Sequence, residues 1–170
     1  MHAVLYCTKS NPKLFYDIKN EKWECSSSIQ LDENICVNGK VVARCEIETK
    51  ELLDCIVEEE FLKKSCISLS EIYSYNPKYA LYMTDLELFE KPRLLKNFYK
   101  GKLGSKNSFS EVTKAPQNMM YVYTSFDSPE IIETKFVLIS IHPQWLCKIL
   151  NQEKTIELRR KVLKEMIKEI

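Results

Sequence analysis

The chain has 170 residues, enough for one domain with a substantial core. Its 45% hydrophobic and 29% charged residues are ordinary for a globular protein, and a net charge of +1 supplies no global pull toward nucleic acid or membrane. Having only Gly39, Gly101 and Gly104 excludes glycine-rich phosphate loops, and no apolar run reaches the length of a membrane span.

Residues 3–6 predict a short strand, followed by a turn at Ser10-Asn11-Pro12. Residues 13–23 predict its hairpin partner, with Leu14, Tyr16 and Ile18 on one face, and residues 25–33 a polar loop. Asn38-Gly39 is the strongest turn signal and launches a core strand over 40–47, where Val41, Ala43 and Cys45 oppose Val42, Arg44 and Glu46. Residues 51–64 fit helix and strand equally poorly. Their run Glu58-Glu59-Glu60 reads as a solvated face, since adjacent carboxylates on a helix do not converge.

Ser68 and Glu71 form a capping box that starts a short helix through Tyr75, halted by Asn76-Pro77. A long strand follows over 79–89, and Pro92 opens a brief helical turn over 93–99 with Leu94, Leu95 and Phe98 inward. Residues 100–114 are polar and aperiodic, which predicts an exposed loop. A loop containing Gln117 and Asn118 leads into a strand in which Met119, Tyr121 and Tyr123 oppose Met120 and Val122. Asp127-Ser128-Pro129 marks a further turn.

The most informative stretch is 136–160. Its apolar run through Ile141 suits a strand buried on both faces. Pro143 fits a first helical turn, and Leu146, Ile149 and Leu150 give that helix one apolar face. The period then changes to two: Thr155, Glu157 and Arg159 point one way, Ile156 and Leu158 the other. A strand bearing Glu and Arg on one face directly after a helix makes a cleft wall. From 161 the tail predicts an amphipathic helix with Val162, Leu163, Met166, Ile167 and Ile170 on one side.

Seven cysteines (Cys7, Cys25, Cys36, Cys45, Cys55, Cys66 and Cys147) include no C-x-x-C pair, and only His2 and His142 stand ready to assist them. That spacing predicts no metal set and no disulfide framework. With no secretory signal at Met1, it predicts free thiols in a cytoplasmic protein.

The segment Ile149-Leu150-Asn151-Gln152-Glu153-Lys154-Thr155-Ile156-Glu157-Leu158-Arg159 resembles the signature of ASCH domains, small barrels of the PUA-like superfamily. That signature is a helix ending in I-L-x-G-x-K followed by T-x-E-x-R. Lys154, Glu157 and Arg159 match it, and Gln152 stands where the family has Gly. Segments similar to the family's remaining strands and helix lie at 3–6, 41–47, 68–75 and 79–92, before the signature instead of after it. The chain thus resembles a circularly permuted ASCH domain of the kind found in compact phage-encoded proteins. Only ten residues follow Arg160, too few to close a second barrel, so one domain is expected. The implied fold class is α+β, a small PUA-like barrel with flanking short helices and permuted strand order.

The resemblance implies a binding module for single-stranded RNA, or for a nucleotide or nucleoside, without cofactor or metal. Such a site needs cations, a stacking platform and a group that reads a base edge. Lys154, Arg159 and Arg160 carry charge, Trp145 and Tyr121 can stack, and Glu157, Gln117 and Asn118 can read an edge. Some similar domains are hydrolases of acylated nucleosides, with a Thr nucleophile, a Lys and a Glu. Lys154 matches that Lys, but Glu157 occupies the nucleophile's position, and a carboxylate does not replace a hydroxyl in amide cleavage. Lys154 and Glu157 would then be an acid–base pair. A third expectation is a phage protein that docks the apolar side of its last helix on a host protein.

Overall fold

The computed structural model describes residues 1–28, 35–52, 58–101, 109–124 and 134–170. In chain order these form β1 (His2–Cys7), β2 (Lys13–Asp17), β3 (Lys22–Ser26), β4 (Val41–Glu51), α1 (Glu59–Ser65), α2 (Leu69–Tyr75) and β5 (Tyr79–Arg93). A 3-10 turn (Leu95–Asn97), β6 (Tyr99–Lys100), β7 (Ser110–Glu111), β8 (Met119–Thr124), β9 (Thr134–Ile141), α3 (Pro143–Leu150), β10 (Ile156–Arg159) and α4 (Lys164–Lys168) complete it.

The fold is α+β. Eight strands form one sheet in the order β10-β5-β4-β1-β9-β8-β6-β7, and every pairing is antiparallel except β1 with β9. Among the described residues no backbone pairing joins the two ends of that order. β9 lies between β1 and β8 and is buried on both faces, which its near-continuous apolar run requires. Val137, Ile139 and Ile141 enter the main core with Leu5, Ala43, Cys45, Leu81, Leu146 and Ile149. Phe136 and Leu138 enter a second cluster on the other face with Val4, Tyr6, Val41 and Phe98. A bulge in β4 between Val41 and Ala43 moves Val42 into the main core beside Ala43, so both faces of this strand's start are buried.

α3 covers the main core with Leu146, Ile149 and Leu150, and Pro143 occupies its first turn, where a missing N–H costs nothing. α2 begins at the expected capping box: the Ser68 side chain accepts from the Glu71 N–H while the Glu71 side chain accepts from the Ser68 N–H. It ends at Asn76 in a left-handed conformation before Pro77. Ile72 ties this helix to Ala80, Ile156 and Leu158, a small cluster that places α2 beside β10.

Several expectations are corrected. Residues 13–23 do not partner β1; β2 and β3 form a separate two-stranded sheet. Asp17 ends β2 by accepting from the Lys19 and Asn20 N–H groups, and Ile18 is left 82% exposed. Cys25 and Ser26 lie in β3 instead of a loop. The run Glu58-Glu59-Glu60 is exposed as expected, and Glu59 and Glu60 open α1, where acidic side chains suit the helix N-terminus. Pro92 stays within β5, and the helical turn after it is limited to Leu95–Asn97, with Phe98 buried but Leu94 exposed. Within the span expected to be loop, Ser110 and Glu111 pair with β6, and Val112, whose N–H donates to the Phe98 carbonyl, is buried in the second cluster. The terminal helix is five residues, not ten. Val162 and Leu163 precede it and pack on the main core with buried Met166, while Ile167 and Ile170 remain exposed. The expected turn at 127–129, residues 102–108 of the expected loop and Cys55 lie outside the described residues.

Candidate ligand-binding cleft

β10 follows α3 after a tight turn in which Gln152 takes the left-handed conformation (φ 61°) that a Gly would adopt freely. This turn sets the register of the alternating residues. Ile156 and Leu158 go into the small cluster beside α2, and Glu157 and Arg159 face the opposite way. There they line a cleft of about 510 Å³ between β10, the end of β9, the start of α3 and α2. Trp145 and His142 form the α3 wall, Tyr75, Glu71 and Ile67 the α2 side, and Thr8, Ser10, Gln117, Ser140, Ile141 and Leu158, which also belongs to the small cluster, complete the lining.

Arg159 is a strut across this cleft. One terminal nitrogen donates to Asn118 Oδ1 at 2.8 Å and the other to the Ser140 carbonyl at 2.9 Å, so β10 is tied to β9 and to the loop before β8. Asn118 in turn donates to the Lys161 carbonyl at 2.9 Å, and Ser140 Oγ donates to the Pro116 carbonyl at 2.7 Å. Gln117 is exposed between these two anchored neighbours and lines the cleft. Asn118 acts from behind it, fixing Arg159.

Glu157 is 7% exposed. Its Oε1 lies 3.9 Å from Arg159 Nε, beyond hydrogen-bond length, and its Oε2 is buried without any hydrogen-bond partner. A buried carboxylate oxygen with no donor is costly, by several kcal/mol in an apolar setting, unless something supplies one.

Lys154 takes a different place from the one its matching position suggests. It is 1% exposed and is not part of the cleft lining. Its ammonium donates to the Ser65 carbonyl at the C-terminus of α1, where partial negative charge collects, and lies 5.2 Å from the Trp145 ring centre. Burial lowers the Lys154 ammonium below its ordinary value, opposed chiefly by the Glu157 carboxylate. Lys154 thus fastens α1 beneath the cleft and lends positive charge to Glu157 from behind.

Trp145 is half-buried, with Lys148 and Lys154 each about 5 Å from its ring. Arg160 stands outside the lining: its Nε donates to the Tyr75 carbonyl at 2.7 Å and its guanidinium covers the Tyr75 ring at 4.4 Å. It therefore holds an aromatic wall of the cleft. Tyr121 is not brought to the cleft. Its ring lies under Lys135, which is paired with Glu165 of α4 at 2.8 Å, and burial together with that carboxylate pushes the phenol up to about 12. Tyr121 faces the main core because Met119, Tyr121 and Tyr123 share the side of β8 away from Val122.

Sequence reasoning missed Tyr75, Ser140, Thr8, Ser10 and His142 as cleft residues. The imidazole does cap α3, accepting from the Gln144 N–H at Nδ1, and it also lines the cleft. Thr8 and Ser10 share a hydrogen bond and sit on a rim organised by Asn38, whose amide donates to the Ser10 and Pro12 carbonyls and accepts from the Leu14 N–H. Cys7, Cys25, Cys45, Cys66 and Cys147 are free thiols, and no cluster of His, Cys, Asp and Glu among the described residues is arranged to hold a metal. Nor is any described helix long and apolar enough to cross a membrane.

Compared with protein-family models, curated proteins and solved structures, the chain shows no match.

Proposed function

We propose that the cleft binds a nucleobase, presented by single-stranded RNA or by a nucleoside or nucleotide, and holds it without chemical change. The observation that carries this reading is Glu157: a buried carboxylate with an unsatisfied oxygen, in a cleft walled by Trp145 and Tyr75. A base offers what such a site lacks, an N–H edge for the carboxylate and a flat face for the aromatic rings. The cleft's volume falls in the range of small-molecule sites.

The geometry shifts the role of charge from the one expected. Lys154 is turned inward and Arg159 is spent on Asn118 and Ser140, while Glu71 and Glu157 both line the cleft. A phosphate fits poorly there. In RNA the phosphates would run outside, past Lys148 and Arg160. The hydrolase reading draws less support, because Thr155 and Lys154 are both absent from the lining and the Ser140 hydroxyl is committed to the Pro116 carbonyl. The host-protein reading draws little from α4, whose central Met166 is buried in the core.

The same proposal takes the chain as a permuted ASCH-like domain in which the sheet is a PUA-like barrel with a seam between β10 and β9. Support comes from the Arg159 strut across that seam and from the left-handed turn at Gln152 between the signature helix and strand. The free thiols fit a cytoplasmic setting.

Binding of labelled single-stranded RNA by wild type and by Trp145→Ala is the test. Loss of one stacking platform lowers affinity by about 1–3 kcal/mol, or roughly 5- to 150-fold. With the phosphates outside the cleft, the salt dependence is shallow, about one or two counterions. Equal binding by the two proteins would contradict the proposal.

A further inference from the structure

Resting on the base-binding reading, we propose that the cleft selects guanine. Glu157 and Arg159 stand two residues apart on one face of β10, both in the lining, and present acceptor, acceptor, donor in sequence. Glu157 contributes Oε2, which has no partner, and Oε1, which is beyond hydrogen-bond distance of Arg159. Arg159 contributes Nε–H, since its terminal nitrogens bond Asn118 and Ser140 while Nε stays 3.9 Å from the carboxylate.

The complement of acceptor–acceptor–donor is donor–donor–acceptor, and among the common bases only guanine has it, in its 2-amino group, N1–H and O6. Adenine and cytosine place an acceptor beside their amino group, which would face a carboxylate oxygen lone pair to lone pair. Uracil has a single N–H flanked by two carbonyls, so it leaves one carboxylate oxygen unsatisfied and sets a carbonyl against it. A site that leaves buried polar groups unpaired with the wrong ligand discriminates strongly. Oε2 is covered in the free protein, so Glu157 turns toward the cleft as the base enters. The two hydrogen bonds that fix Arg159 hold its Nε–H in place for this readout.

The test is calorimetric titration of the intact protein with guanosine, inosine, adenosine, cytidine and uridine. Inosine keeps N1–H and O6 but lacks the 2-amino group, so it reports on the second carboxylate oxygen without any change to the protein. Guanosine is expected to bind at least about ten-fold more tightly than inosine and than each of the other three. Glu157→Gln, which replaces one acceptor by a donor, is expected to remove the preference. Equal affinity for guanosine and inosine, or a preference for another base, would overturn the selection of guanine while leaving base binding in place. Binding of no nucleoside, together with no loss of RNA binding in Trp145→Ala, would overturn both.

Discussion

Individual residues here take roles that their chemistry allows but their spacing does not announce. Lys154 was expected to carry charge for a ligand, yet its ammonium serves the end of α1. Its counterpart Glu157 stays beside the cleft with an empty oxygen. The buried thiols show the same dependence on surroundings. Burial pushes Cys45 up to about 12, with a smaller contribution from Glu46, and pushes Cys7 up to about 12. An unfolded thiol ionises near 9.0, so between that pH and about 12 the native state keeps a proton that the unfolded state releases. The associated stability is complete below pH 9 and is lost as pH rises toward 12, by about 1.4 kcal/mol per pH unit for each thiol. Urea unfolding between pH 7 and 10.5 is expected to show a less steep alkaline decline in Cys45→Ala than in wild type. Parallel declines would show that Cys45 stays protonated no longer in the native state than in the unfolded one.

At the scale of elements, β9, α3 and β10 were the most legible part of the chain. Their signals are local: an apolar run, a Pro at a helix start, an i, i+3, i+4 stripe and then alternation. The Ser68–Glu71 capping box was legible for the same reason. The β2–β3 hairpin was not, because what holds it is remote. Asn151, at the end of α3, accepts from the Trp23 N–H and donates to the Trp23 carbonyl, both at 2.9 Å, and no local pattern near residue 23 encodes that partner. α4 was overestimated in length because its apolar spacing continues where the backbone is extended at Leu163. The connection between α3 and β10 carries a testable cost. Gln152 holds φ at 61° with an exposed side chain, a conformation that disfavours residues with a Cβ by roughly 1–2 kcal/mol. Part of that gain is offset in Gly by the entropy of a freer unfolded chain. Gln152→Gly is expected to stabilise the protein by about 0.5–1 kcal/mol, measured as a shift in the urea midpoint. A destabilised variant would mean that the Gln152 side chain contributes more than the relaxed backbone returns.

At the scale of the molecule, the cleft is assembled from segments far apart in sequence: residues 8–10, α2, the loop at 116–118, the β9–α3 junction and β10. Part of it was legible, through Glu157, Arg159, Trp145 and Gln117. Thr8, Ser10, Tyr75 and Ser140 carry no motif and reach the cleft only through strand order, since β10 pairs with β5 while its Arg159 reaches across to β9. Tyr121 was misplaced because alternation along β8 fixes which residues share a face but not which face meets the cleft. The cleft and the binding reading stand together on one wall, Trp145, and that wall has its own signal. Trp23 and Trp145 are the only tryptophans, so Trp23→Phe leaves Trp145 as the sole indole reporter. The most direct measurement is fluorescence of the Trp23→Phe protein titrated with guanosine. Saturable quenching that disappears in Glu157→Gln is the predicted result. Unchanged Trp145 emission at concentrations where calorimetry shows binding would place the ligand elsewhere and contradict the account.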